Sequence, residues 1–407
     1  MNQPTLDARW LARCRALLEH NQVQSGTYRY TRPAPMTYEH QWLWDSCFHA
    51  LVYRWFAPAM ARAELLSVVA HQVTEGDDRG MIPHMGYWRG GGGELWGADR
   101  RSIITQPPLI GVAAVRVYSV TGDTDLLEQL YEPLRAYHAW FDRRRDPDED
   151  GLVSLIHPWE SGWDASPRWD AAMGLQSPTD EQSKAARHAL VGVLREHNGD
   201  LRILESFGSF SVEAVDYNAI RAADLESMGA ISEILGLSGD ARHYREQAEH
   251  VQSAVYKKLY RNSVGIDLFG TDETPGMQES AAQFVMLFGG CLPATDADAL
   301  IKRLTSPAYW PQYPVPTSPT YSPHYDGGHY WRGNVWLAVN WLIYGGLRRY
   351  GADNIAAELA TRTAELVEQN GFHEYFHPDT GTGLGPDKQS WTTIVLDMIA
   401  TEGQADG

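Results

Sequence analysis

The chain has 407 residues, 43% of them hydrophobic and 21% charged, a balance that fits a folded globular protein and not a disordered one. A net charge of −18 argues against general attraction to nucleic acid phosphates or anionic lipid. The 3 cysteines, Cys14, Cys47 and Cys291, are odd in number and widely spaced, which gives neither a disulfide framework nor a zinc motif. The segment Met1–Asp7 has no basic and apolar leader pattern, and no run approaches the roughly 18 apolar residues of a membrane span. The expectation is a reduced, cytoplasmic protein with no membrane partner. The sequence leaves self-association open.

Helix-period apolar patterns fill most of the chain. They predict helices over Leu6–His20, Gln41–Phe56, Ala57–Val73, Gln106–Thr121, Asp123–Arg143, Ser183–His197 and Tyr217–Leu237. They continue over Asp240–Tyr260, Gln278–Gly289, Asp296–Thr305, Asn334–Tyr350, Ala352–Gln369 and Ser390–Thr401. Strand-like alternation is scarce, so the fold class is all-α. Tight connectors recur at Thr121–Asp125, Ser238–Arg242 and Tyr350–Asn354, each with a glycine suited to ending a helix and an Asp or Asn suited to capping the next. The return segments are long: Glu75–Thr105, Asp146–Gln182, Arg261–Met277, Ser306–Gly333 and Gly371–Gln389. Hairpins laid side by side put every short turn at one end and every long loop at the other. About a dozen such helices close into an (α/α)6 barrel with a loop-built face. No linker or composition break divides residues 1–407, which are read as one catalytic domain.

The aromatic content is high, with 15 Trp and 20 Tyr, and many of these residues stand beside Gly, Pro, His and Asp in the long loops. Loop aromatics are candidates for stacking on sugar rings. Gln41–Ser46 places Asp45 in the first turn of a helix beside Trp42, where it suits the helix dipole or a pair of sugar hydroxyls. Gly80–His84, with Tyr87 and Trp88, lies in the first long loop, and Gly90–Gly93 reads as a hinge or lid. Gln106, before two prolines, starts a helix and presents its amide to the same rim.

The stretch His157–Asp170 carries Trp159, Glu160, Trp163, Asp164 and Trp169. Asp164 is the expected general acid, because an aromatic surround raises a carboxyl's pKa and keeps it protonated. Glu160 binds a sugar hydroxyl or holds the loop. Tyr330–Trp336 offers Trp331 and Trp336 as stacking platforms and Asn334 as a helix cap. Glu374, amid His373, Tyr375, Phe376 and His377, is the expected general base. An inverting glycosidase sets its two carboxyls roughly 6.5–9.5 Å apart to admit one water. Gln389 and Trp391 stand at the last return loop. No HExxH or CxxC spacing supports a metal, no phosphate loop is complete, and no cofactor is expected.

At these residues the chain resembles glycoside hydrolase family 63, and within it the short bacterial mannosylglycerate and glucosylglycerate hydrolases. The likeness runs through Trp42–Ser46, Gly80–His84, Gln106–Pro108, His157–Asp170, Tyr217-Asn218, Tyr330–Trp336, His373–Tyr375 and Ser390-Trp391. It implies an (α/α)6 barrel and an exo-acting α-glucosidase or α-mannosidase that hydrolyses a small glycoside with inversion. Its acid falls on Asp164 and its base on Glu374, and Asp45, Gln106, Trp336 and Trp391 match its sugar pocket. Two departures stand out. Ala165 replaces an Asn, and Ala171–Gln182 lacks the Arg expected to hold a glycerate carboxylate. Arg187, Arg168, Arg89, Arg100 and Arg101 are the candidate substitutes.

Two other readings share the fold or the aromatics. A sugar epimerase of the same barrel would rely on paired histidines, whereas this chain offers paired carboxyls. A sugar-binding protein without activity would not need both.

Overall fold

The computed structural model describes residues 7–405, so the first residues, Leu6 of the first predicted helix among them, lie outside it. In chain order the helices are α1 (Ala8–Asn21), α2 (Leu43–Tyr53), α3 (Pro58–Val69), α4 (Gly93–Trp96), α5 (Ile110–Thr121), α6 (Thr124–Arg145), α7 (Asp180–Glu196) and α8 (Leu201–Ser206). They continue with α9 (Val215–Ile234), α10 (Ser238–Leu259), α11 (Val285–Phe288), α12 (Ala294–Leu304), α13 (Leu337–Arg349), α14 (Asp353–Asn370) and α15 (Val395–Ala405).

Burial sorts twelve of these into two rings. Every residue of α2 is buried, and α5, α9, α11, α13 and α15 belong with it. The inner helices touch in sequence from α2 through α15, and the turn Ser390–Ile394 that leads into α15 closes the circle against α2. The other ring, α3, α6, α10, α12, α14 and α1, wraps outside with one buried stripe per helix. On α10 that stripe is Ala241, Tyr244, Ala248, Val251 and Val255, steps of three and four residues. This is the (α/α)6 barrel. No helix among the described residues is long and apolar enough to cross a membrane.

The departures from the predicted elements have local causes. The helix predicted over Ser183–His197 forms as α7 but stands outside both rings. It covers a second apolar cluster of Tyr87, Trp96, Ile104, Ile156, Val191 and Leu194. The helix predicted from Gln106 begins only at Ile110, since Pro107 and Pro108 lack N–H groups and keep the residues before them extended. Gln41-Trp42 is a short strand paired with Met85-Gly86, and α2 begins after it. The glycine that ends α9 is Gly236, at φ +76, whereas Ser238 already belongs to α10. His373–Phe376 is a strand, not a loop, paired antiparallel with Gly383–Asp387.

The long returns all enter inner helices at one end of the barrel. The chemistry of the predicted residues is therefore gathered there.

Candidate active site

A cavity of about 370 Å³ opens where those returns meet, near the low end of the roughly 300–1,000 Å³ seen for small-ligand pockets. Its walls are Pro33, Tyr38, Trp42, Trp44, Asp45, Gln106, Gly162, Asp164, Tyr330, Trp331, Glu374, Gln389 and Trp391. Three carboxyls thus face one space lined by indoles and phenols, and no basic side chain is part of its wall.

The loop that presents Asp164 is fastened residue by residue. His157 accepts from the Trp159 N–H and opens a short turn, Pro158–Ser161, which Gly162 ends at φ +76. A Cβ at Gly162 would lie 2.4 Å from the Trp44 ring, so the loop can approach the pocket wall only with glycine there. Trp163 is buried beneath Trp331, ring centroids 5.3 Å apart, and forms the second layer of the wall. Arg168 bonds Asp216 and Asp267 and lies over the Trp163 and Trp169 rings. Asp170 takes a bidentate grip from Arg332 at 2.8 and 3.0 Å, clasping this loop to the one that carries Trp331. Burial raises the Asp164 pKa to about 7, opposed by Arg187 and by the Tyr330 hydroxyl. A carboxyl so placed keeps its proton near neutrality.

Glu374 comes from the strand His373–Phe376. Its Oε1 accepts from the Tyr38 hydroxyl at 2.8 Å, and its backbone carbonyl accepts from the Trp391 indole at 3.3 Å. Gly385, opposite on the paired strand at φ +68, makes room for it: a Cβ there would sit 2.5 Å from Glu374 Oε2. Burial lifts the Glu374 pKa to about 8, with Asp164 adding to the rise and Tyr38 opposing it. Asp45, in the first turn of α2, is likewise pushed up to about 8 by burial and by its two acidic neighbours. The three carboxyls cannot all ionise cheaply in so small a space, so a proton is held among them.

Eight predicted residues line the cavity: Asp164, Glu374, Trp42, Asp45, Gln106, Trp331, Gln389 and Trp391. The other nine stand behind them. Trp336 stacks on Trp331 at 3.6 Å and Tyr375 on Trp336 at 4.7 Å, so only the first ring of the stack reaches the pocket. Asn334 is no helix cap; its amide donates to the Tyr330 carbonyl at 2.9 Å and fixes the loop. Glu160 holds the loop, accepting from Arg145, Thr105 N–H and Ile156 N–H, and is too enclosed for a sugar. His84, bonded to Ser102 at 2.6 Å, packs edge-on against Trp42, while Tyr87 and Trp159 belong to the cluster under α7. Trp163 is the layer beneath Trp331. Arg187 is buried beside Asp164; it donates to Ser183 Oγ at 2.6 Å, and its Nε has no protein partner.

Of the substitutes named for the missing Arg, Arg168 is spent on two aspartates, and Arg89, Arg100 and Arg101 do not line the cavity. The glycine run forms three successive left-handed residues, Gly90, Gly91 and Gly92, against Tyr87, and contributes nothing to the walls. Sequence reasoning missed Pro33, Tyr38, Trp44, Gly162 and Tyr330. Tyr38 carried the same signal as the others, an aromatic in a proline-rich loop, and Trp44 stood within the Trp-Leu-Trp-Asp motif.

Among the described residues, one group of acids, Asp146, Asp148 and Asp150, gathers oxygens within 4.8 Å of one another. Asp146 accepts from two backbone N–H groups and Asp150 pairs with Lys258, so local donors already serve the group.

A ring of paired helices with carboxyls facing across an indole-walled pocket is the build of a glycoside hydrolase. Comparison with known proteins agrees. The mannosylglycerate hydrolase MGH1-like glycoside hydrolase domain matches residues 38–392. The mannosylglycerate hydrolase of Rubrobacter radiotolerans is 30% identical over 97% of this chain and 97% of its own. The glucosylglycerate hydrolase of Mycolicibacterium hassiacum is 29% identical over 95% of this chain and 97% of its own. The solved family 63 mannosylglycerate hydrolase of Thermus thermophilus, in complex with Tris and D-glycerate, is 28% identical with a TM-score of 0.86, covering 96% of this chain and 99% of that one. The chain belongs to the MGH1-like glycoside hydrolases of family 63.

Proposed function

We propose that the protein hydrolyses a small α-glycoside with an anionic aglycone, a mannosylglycerate or glucosylglycerate, from the sugar end and with inversion. Asp164 protonates the departing oxygen while Glu374 takes a proton from the attacking water. Asp45, Gln106 and Gln389 hold the sugar hydroxyls against the Trp42 and Trp391 rings. Gln389 suits this task, since its buried Oε1 has no protein partner at the pocket wall. The observation that carries the reading is the meeting of Asp164 and Glu374, distant in sequence, in one cavity sized for a small ligand.

Arg187 supports the anionic aglycone. The leaving group must sit beside the acid, and Arg187 is the guanidinium there that has no carboxylate of its own, since Arg332 is bound to Asp170. The reaction needs no metal or organic cofactor, and residues 1–407 act as one catalytic unit in water, whether as one copy or several.

A panel of mannosylglycerate, glucosylglycerate, glucosylglycerol, trehalose and starch tests this. One of the two glycerates should be cleaved fastest and starch not at all. Arg187→Met should raise KM for that substrate about tenfold or more, the order of one lost charge-assisted bond, with little change for glucosylglycerol. Starch cleavage, or equal effects of Arg187→Met on charged and neutral substrates, would contradict the proposal.

A further inference from the structure

An inverting turnover ends with the protons in the wrong places. Glu374 holds the proton of the attacking water, and Asp164 has given its own away. Before the next turnover one proton must leave the base and one must reach the acid. Both carboxyls lie in a cavity walled by Trp42, Trp44, Trp331 and Trp391, and Glu374 is only 4% exposed. Bulk water therefore has a narrow approach to either.

Two phenols bridge that gap along the same cavity wall. The Tyr38 hydroxyl bonds Glu374 Oε1 at 2.8 Å. On its other side it meets the hydroxyl of Tyr330, which in turn reaches the Asp164 carboxyl. The placement of Tyr330 is forced. Its φ is +28, a conformation that costs a bulky residue free energy and persists only when its surroundings hold it. Here the Asn334 amide, at 2.9 Å, and the Trp336 indole, at 3.3 Å, both donate to the Tyr330 carbonyl and pin that backbone. A strained residue held by two buried donors, with its hydroxyl at an acid, is a site and not a packing accident.

We propose that Tyr38 and Tyr330 form a hydroxyl relay that carries a proton from Glu374 back to Asp164 after each turnover. The inference rests on the acid and base roles given above. The Glu374 proton moves to the Tyr38 oxygen as the Tyr38 proton moves to the Tyr330 oxygen, and the Tyr330 proton moves to Asp164. Each phenol gives one proton and takes one, so both end neutral and turn their hydroxyls back. Burial pushes both phenols well above their ordinary pKa, which disfavours a lone phenolate and makes the transfers move together.

Rapid-mixing kinetics on Tyr38→Phe and Tyr330→Phe, with the preferred glycerate substrate, test the relay. The ratio of first-turnover rate to steady-state rate should rise about tenfold or more over wild type in each variant, the lower range for loss of a proton-transfer group. Formate or imidazole, small enough to carry protons into the pocket, should lower that ratio again. A merely structural role for either tyrosine would slow first and later turnovers alike and would not respond to added buffer. An unchanged ratio in both variants, with Asp164→Asn and Glu374→Gln inactive, overturns the relay alone. A first turnover retained in Asp164→Asn or Glu374→Gln overturns the acid–base assignment and the relay with it.

Discussion

Glu374 shows most plainly how one residue's surroundings set its chemistry. In the unfolded chain its carboxyl titrates near 4.5, while burial in the folded protein lifts this to about 8. The folded state therefore binds the proton more tightly, and the stability this contributes is complete below about pH 4.5. It is lost as pH rises through the folded value. Asp45 follows the same sign, and Asp164 does so up to about 7. The site is bought at the expense of stability in the range where the enzyme must work. Glu374→Gln should accordingly melt at or near the wild-type temperature around pH 4.5 and progressively above it towards pH 8. Calorimetry across that range checks this, and a gap that closes as pH rises would contradict it.

At the scale of elements, the base depends on its hairpin as much as on itself. Gly385 lies opposite Glu374 with space for no side chain, and its φ of +68 suits glycine. Gly385→Ala should push the carboxyl out of line and lower kcat by roughly 10²-fold, the cost of about 1 Å of misplacement, while the helical barrel survives. Full activity in that variant, with the helical circular dichroism unchanged, would show that Glu374 is not held by close approach.

How much of this was legible in the sequence follows from the same local physics. The acid loop declared itself because tryptophans and acids crowd one short stretch, and the apolar periods foretold the rings. What composition does not encode is direction. Trp331 and Trp336 read alike, yet they stack on each other, so only one can face the cavity. Glu160 and Asp164 read as rivals, and only the tertiary partner Arg145 separates them. Tyr330 was passed over because its importance lies in a backbone angle and a hydroxyl position, neither of which leaves a mark in residue type. The strand that carries Glu374 was missed because so short a pairing gives no period to detect.

At the scale of the whole molecule, the barrel separates stability from chemistry. The inner helices pack on all sides and keep their entering ends fixed, and the long returns build the pocket on that rigid rim. Helix α7 stands outside the rings, yet it places Arg187 beside the acid and covers the loops around Trp159. The short turns at the opposite end carry none of the cavity's walls. The central claim is that Asp164 and Glu374 act across a single water on a glycosylglycerate. Proton NMR of mannosylglycerate and glucosylglycerate during the first minutes of hydrolysis tests it most directly. The account predicts free glycerate together with the β-anomer of the sugar, appearing before mutarotation mixes the two forms. An α-anomer formed first, or no hydrolysis of either compound, would contradict it.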